Sequence, residues 1–230
     1  MILGRLALGA AAAWMAYAWG AHLLTPASVW RGPGTARRVA LTFDDGPDPA
    51  WTPRVLDLLV EKRARGSFFL VGERAARAPE VVRRIAAEGH EVASHAWTHR
   101  SLWLLGPRAT ESAVGRTHEL LTALTGRAPR HFRPPWGMVN AALYAALRRH
   151  GERLVFWSLQ PEGLRPVAAE RQARHVLERA HSGAIVDLHD AEGTPAAPER
   201  LLAALPPMID GLRDAGYELV TVAELLGDAT

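Results

Sequence analysis

The chain predicts an α/β fold of parallel strands, on three observations. Short apolar runs alternate with amphipathic helical patterns seven times over about 190 residues, the rhythm of βα units. Glycine or proline marks most joints between them. Polar residues able to do chemistry fall where strands end: Asp44 and Asp45 after the first, His95 after the third, Arg133 after the fourth, His189 after the sixth. Two architectures fit the alternation, an open doubly wound sheet and a (β/α) barrel. No glycine-rich phosphate loop follows the first strand, which removes the usual support for a nucleotide-binding sheet. Polar residues gathered at strand C-termini are what a barrel active site requires, and this favours the barrel.

Each element has a local reason. Residues 39–43 form the first apolar run. The helical pattern at 53–62 opens on Pro53, which suits a first turn, and Gly66 follows it. A second strand is read at 67–70. In the helix 79–88, Val81, Val82, Ile85 and Ala86 share one face while Arg83, Arg84 and Glu88 lie outside, and Gly89 closes it. Strand 91–93 leads to helix 108–125, stopped by Gly126. Strand 131–132 leads to helix 140–150, stopped by Gly151. Strand 154–157 precedes a helix at 166–181 opened by Pro166 and closed by Gly183. Strand 184–188 precedes a helix at 198–215 opened by Pro198 and closed by Gly216. Strand 217–220 and a short helix at 222–226 complete the pattern.

The 230 residues give room for one sizeable core and little for a second full domain. There is no cysteine, so there is no disulfide and no thiolate metal site; any metal must be held by His, Asp or Glu. Net charge is +3 with a pI near 9.9, and Lys62 is the sole lysine among many arginines. No long basic run or nucleic-acid motif occurs, so no nucleic-acid partner is expected. The chain is expected to be a monomer.

The N-terminus differs from the rest. Residues 6–24 are apolar apart from His22, with Arg5 just before them. A length of about 19 residues sits at the edge of what spans a bilayer. The segment is expected to be an uncleaved membrane anchor carrying an extracytoplasmic domain; a cleaved signal peptide and secretion is the alternative. Residues 26–37, with Pro26, Gly32, Pro33 and Gly34, read as a linker. The chain thus divides into an anchor or signal segment at 1–25, a linker at 26–37 and a catalytic domain at 38–230.

Asp44 and Asp45 stand side by side at the end of the first strand. Adjacent acids repel, so a buried pair needs a cation or shifted pKa values. A metal on one and a proton-transfer task for the other satisfies both needs; an acidic turn is the plain alternative. His95 and His99 lie four residues apart, and one helical turn would bring their rings onto one face. An aspartate with two histidines leaves room for water, the pattern of a catalytic rather than a closed structural site. Such a ligand set suits zinc, and also cobalt, nickel or iron(II).

Four motifs occur in order: TFDDGP at 42–47, SHAWTH at 94–99, RPPWG at 133–137 and LHD at 188–190. Together they resemble the polysaccharide deacetylase family, the NodB-homology domain of carbohydrate esterase family 4. The resemblance runs over residues 38–226, and GYELVT at 216–221 looks like that family's last strand. It implies a distorted (β/α)7–8 barrel, preceded here by the N-terminal hydrophobic helix. It also implies metal-dependent removal of acetyl groups from N-acetylhexosamine units of a cell-surface or extracellular polysaccharide or oligosaccharide. Peptidoglycan, chitin-like polymers and exopolysaccharide all remain open. By position, Asp45, His95 and His99 would bind the metal, zinc first among the choices. Asp44 would be the general base and His189 the general acid that protonates the leaving amine. Arg133 would pair with the catalytic aspartate and hold it ionised. The backbone N–H of Trp136, with Pro135 beside it on the substrate side, would help stabilise the oxyanion.

One stretch departs from the family. After the fifth strand the family carries an aspartate-rich motif ending in Asp-Trp, whose aspartate orients the general-acid histidine. Here Gln160 and Gly163 stand at the acidic positions and Leu164 at the tryptophan. Asp187, two residues before His189 on one strand, points to the same face and is the expected replacement. Hydrogen bonding to the His189 ring would fix its tautomer and raise its pKa. Glu162 is the runner-up partner, and an arginine pairing of Asp187 is the plain alternative. Two other functions stand beside N-deacetylation: an O-acetyl, xylan-type esterase on the same site, and a catalytically silent carbohydrate-binding protein. The intact set of Asp44, Asp45, His95, His99 and His189 argues against the silent protein. The remaining histidines, His22, His90, His118, His131, His150, His175 and His181, are expected to be structural.

Overall fold

The computed structural model describes residues 2–18, 28–191 and 193–228, with backbone alone for residues 2–8. Strand β1 (Arg38–Asp44) is the axis of the sheet. One of its edges pairs in parallel with β6 (Ala184–His189), from Val39 opposite Ala184 to Asp44 opposite His189. The other edge is shared. Its upper half takes β2 (Ser67–Leu70) and its lower half takes β7 (Glu218–Val220). From β2 the sheet continues through β3 (Glu91–Ser94), β4 (His131–Phe132) and β5 (Arg153–Leu154), every pair parallel. The chain beyond β5 then crosses to β6: Ser158 and Leu159 donate to the Ile185 carbonyl, and Asp187 N–H donates back to Leu159. That bridge curls the sheet into a distorted barrel, as the distribution of polar residues predicts.

The period of two along each strand sorts side chains between barrel and shell. Val39, Leu41, Phe43, Val186 and Leu188 belong to the large outer core, packed with Leu56, Leu59, Ile85, Val176, Leu205 and Met208 from the surrounding helices. Each such side chain contributes about 1.5–3 kcal/mol by leaving water. Ala40, Phe69, Ala93, Val155 and Ile185 form a separate inner cluster that floors the barrel. The inward columns then turn polar toward the strand C-termini: Ala40 gives way to Thr42 and Asp44, and Ile185 to Asp187 and His189.

The helices stand close to their expected places. They are α1 (Ile2–Ala18), α2 (Thr52–Glu61), α3 (Gly72–Arg77), α4 (Pro79–Ala87), α5 (Pro107–Thr125), α6 (Ala141–His150), α7 (Ala169–Arg179), α8 (Ala197–Asp214) and α9 (Val222–Leu226). Gly126 and Gly151 close α5 and α6 in the left-handed conformation, at φ 71° and 69°. Two differences have physical causes. Helix α3 was not expected, because its six residues carry no apolar period; Gly72 starts it where a Cβ would strike Trp97 and Thr117. Helix α7 begins at Ala169 rather than Pro166, because Ala168 is extended at ψ 144° and breaks the helical run before it.

The N-terminal expectations change most. Within the described residues helix α1 covers Ile2–Ala18. Among the described residues no helix is long and apolar enough to cross a membrane. Residues 19–27, which complete the apolar run, lie outside the described residues. The C-terminal end of α1 touches the domain, where Tyr17 hydroxyl donates to the Leu105 carbonyl at 3.2 Å. Residues 28–37, read as part of a linker, are built into the barrel wall from Val29 on. Val29 exchanges hydrogen bonds with Leu154 and Phe156 beside β5, and Gly32 N–H donates to Gly183.

Candidate active site

Asp44 and His189 face each other across the β1–β6 pairing, at the C-terminal mouth of the barrel. Asp44 is buried, and Arg133 Nη1 donates to its Oδ1 at 2.6 Å. Arg133 comes from the end of β4 and is wholly buried. The same Nη1 also reaches Thr42 Oγ1 at 2.7 Å, and Nη2 donates to the Phe156 carbonyl at 3.0 Å. Its guanidinium lies 4.1 Å from the centre of the Phe69 ring. A cation removed from water in this way is stable because its partners are charged and close.

Asp45, His95 and His99 meet in the same mouth, each offering a ligand atom within 4.8 Å of the others. Nε2 of His99 is 2.9 Å and Nε2 of His95 is 3.4 Å from Asp45 Oδ1. His95 Nδ1 lies 2.7 Å from the Arg133 carbonyl, which can only accept, so Nδ1 carries the proton. In the neutral ring, the form that binds a metal, Nε2 of His95 then turns a lone pair toward a carboxylate oxygen. That oxygen, Asp45 Oδ1, is buried and has no hydrogen-bond partner among the described residues. Lone pairs converging on an anionic oxygen repel unless a cation lies among them. The residues present thus fit a divalent metal, with three protein ligands and positions left open.

The histidine spacing works differently from expectation. His95 and His99 do not share a helical turn. Residues 97–99 form a bend, and Ala96 before them is left-handed at φ 62°. The rings still stack, with centroids 5.3 Å apart. Asp45 at φ 74° and Trp136 at φ 61° are left-handed as well. Three such non-glycine residues around one site are backbone strain gathered where side chains must be aimed.

The other expected residues are placed as follows. The Trp136 ring is half exposed and leans on His99 at 5.1 Å between centroids. Pro135 is buried, and Pro134 lines the cleft in its stead. Asp187 lies below His189 in the barrel, as the strand period predicts, but its hydrogen bond comes from Arg133 Nη1 at 3.3 Å. Its link to His189 is electrostatic. Burial lowers the His189 pKa, but the charges of Asp187, Asp45 and Asp44 outweigh it and hold the imidazole above its ordinary value. Glu162 is committed elsewhere: its carboxylate accepts from Arg200, Thr194, Val167 and Gln172. Residues missed from the sequence include Thr42, which joins the Arg133 cluster, and Asp190, which is wholly buried at the end of β6. An acid one residue past His189 in a buried strand was the available signal for Asp190.

The site floors a cleft of about 560 Å³ lined by Trp136, Met138, Trp157, Gln160, Leu164 and Thr194 among others. A larger cleft, about 910 Å³, opens at the opposite end of the strands around Arg65, His90 and Arg130. It holds no such set of acids and histidines.

The family model for polysaccharide deacetylases matches residues 31–155. The chain belongs to the polysaccharide deacetylase family. A peptidoglycan-N-acetylglucosamine deacetylase of Bacillus cereus is 35% identical over 199 residues, covering 86% of this chain and 92% of the relative. A chitooligosaccharide deacetylase of a Bradyrhizobium species is 36% identical over 200 residues, covering 82% and 90%. A crystal structure of a peptidoglycan N-acetylglucosamine deacetylase superposes with a TM-score of 0.82 at 32% identity, over 88% of this chain and 94% of that one. The protein is accordingly an enzyme, a polysaccharide deacetylase with the family's barrel. In the loop after β5 of this polysaccharide deacetylase, Leu164 stands 83% exposed at the cleft rim.

Proposed function

We propose that this enzyme is a divalent-metal-dependent N-deacetylase, with zinc as the metal, acting on N-acetylhexosamine units of an extracytoplasmic glycan. The observation that carries the reading is the orphaned Asp45 Oδ1 facing two imidazole Nε2 atoms. The named activities of the relatives on peptidoglycan and chitooligosaccharide support the substrate class. Such polymers lie outside the cytoplasm, which supports the location. Residues 38–228 form the catalytic unit in this reading, with the wall segment from Val29 built onto it.

A cation held by Asp45, His95 and His99 supplies Lewis acidity, lowering the pKa of water and offsetting oxyanion charge. The chain's own groups do the rest. Asp44, paired with the Arg133 guanidinium, accepts the proton of the attacking water. The Trp136 N–H donates to the oxyanion as the carbonyl becomes tetrahedral. His189, across the β1–β6 pairing from Asp44, gives its proton to the departing amine nitrogen. Asp187 keeps the imidazole protonated by its nearby charge. One observation favours a second reading, O-deacetylation: among the described residues no carboxylate hydrogen-bonds the His189 ring, and an alkoxide leaves with less help from an acid than an amine does.

Acetate release decides between them. N-acetylglucosamine oligomers, peptidoglycan and acetylated xylan are each incubated with enzyme, with and without chelator. Chelator-sensitive release from the N-acetylated substrates is expected. Release from xylan alone favours the esterase, and no release from any substrate removes the deacetylase reading.

A further inference from the structure

Asp190 is wholly buried one residue past His189, and the reaction as derived above does not use it. Its Oδ2 accepts from Thr52 Oγ1 at 2.5 Å, and that hydroxyl oxygen accepts in turn from Asp48 N–H at 2.8 Å. Asp48 closes the same turn by accepting from Thr52 N–H at 3.0 Å. The other carboxylate oxygen, Oδ1, has no hydrogen-bond partner among the described residues. It lies against Gly46: a Cβ there would come within 2.6 and 2.7 Å of the two Asp190 oxygens. Glycine at 46 is thus required by the approach of this one carboxylate. The same loop is gripped twice more. Val71 N–H donates to the Gly46 carbonyl, and Arg74 Nη1 donates to the Asp45 carbonyl, each at 2.8 Å.

The residue so enclosed is Asp45, a left-handed aspartate at φ 74°. A non-glycine residue is strained there, so its surroundings must hold it. We propose that Asp190 is a positioning residue for the metal ligand Asp45. Its carboxylate stops Gly46 from one side and anchors the 46–52 turn through Thr52, so that Asp45 Oδ1 stays aimed at His95 and His99. The inference rests on the metal-dependent reading of this site. It also links the two halves of the reaction. The strand that ends in the general acid, His189, continues into the group that aims the metal ligand.

Zinc affinity, measured by calorimetry at a temperature well below unfolding, tests it. Wild type is compared with Asp190→Ala, Asp190→Asn and Thr52→Val. Asp190→Ala loses both the stop and the acceptor, and its zinc Kd rises roughly 10–100-fold, the range for lost outer-shell partners. Asp190→Asn keeps shape and acceptor and binds close to wild type. Thr52→Val keeps shape but breaks the bridge, raising Kd about tenfold. A merely structural role would lower Tm in these variants and leave Kd unchanged. Folded Asp190→Ala that binds zinc as wild type does overturns the role of Asp190 and leaves the metal-dependent reading intact. Should that variant not fold, unchanged affinity in Thr52→Val overturns it equally. Wild type that binds neither zinc nor cobalt removes the metal-dependent reading itself, and this role with it.

Discussion

Arg133 Nη1 donates to Asp44 Oδ1 at 2.6 Å inside a pocket that gives both side chains almost no solvent. The arginine also anchors the metal side, because its carbonyl sets the His95 tautomer. One residue therefore holds Asp44, the proposed proton acceptor, through its side chain and His95, a proposed metal ligand, through its backbone. Only the first of these functions can be removed by substitution.

Arg133→Met should separate them. The variant strands Asp44 without its cation, at a cost of about 3–5 kcal/mol in folding stability. The kcat at saturating zinc should fall at least about 100-fold, the usual worth of a well-placed base. Zinc affinity should change far less, because the carbonyl stays. Urea unfolding, steady-state kinetics and calorimetry check the three parts. A variant with wild-type kcat would show that Asp44 does not depend on Arg133.

His189 should matter more for amides than for esters. His189→Gln is expected to lose about 100- to 10,000-fold on an N-acetylated oligomer, and much less on an O-acetylated one. The acid must be protonated, so kcat falls as pH rises through the His189 pKa, which is held above its ordinary value. Asp187→Asn removes the foremost charge that raises it, so the alkaline limb should move to lower pH. The pH–rate profile at saturating zinc measures this. An unmoved limb would falsify the role given to Asp187.

Much of this was legible in the sequence, and what was not follows a pattern. Strand period two placed Asp187 in the interior beneath His189 correctly, because that follows from local geometry alone. Its partner was another matter, since Arg133 arrives from β4 and competes for it. The same limit applies to Glu162, whose partners Thr194 and Arg200 lie more than thirty residues on. His95 and His99 meet by a route other than the one their spacing suggests. Spacing by four suggests a helical turn, whereas a left-handed Ala96 and a bend bring the rings together. Helix α3 carries no apolar period at all, and its place is set by the approach of Gly72 to Trp97.

Glu162 ties two walls of the cleft together. It stands in the loop after β5 and accepts from Thr194 and Arg200, which belong to the segment after β6. Gly163, Leu164, Thr194 and Pro195, beside these bonds, all line the cleft. Glu162→Ala should therefore loosen the wall that holds the sugar while leaving the metal ligands in place. The expected result is a KM several-fold higher for N-acetylated oligomers, with kcat and zinc Kd nearly unchanged. A fall in kcat at constant KM would instead assign Glu162 to the chemistry.

Glu152 makes stability depend on pH far from the active site. Its side chain is fully buried at the start of β5, with Oε1 2.7 Å from His118 Nδ1 and Oε2 without a partner. Burial pushes its pKa from 4.5 up to about 7, the His118 contact opposing. The folded state then holds more protons than the unfolded chain between those values, so stability falls as pH rises across that window. The full shift corresponds to about 3 kcal/mol. His118 adds in the same direction. Its pKa is raised, first by the hydrogen bond to Glu152, so its contribution is complete below 6.5 and is lost as pH rises through its folded value. Glu152→Gln removes the buried charge and the cause of the His118 shift together. Melting curves from pH 4.5 to 8 should show wild-type Tm declining relative to Glu152→Gln as pH rises. Parallel curves for the two proteins would mean that Glu152 is ionised in the folded state throughout, with its charge compensated by His118.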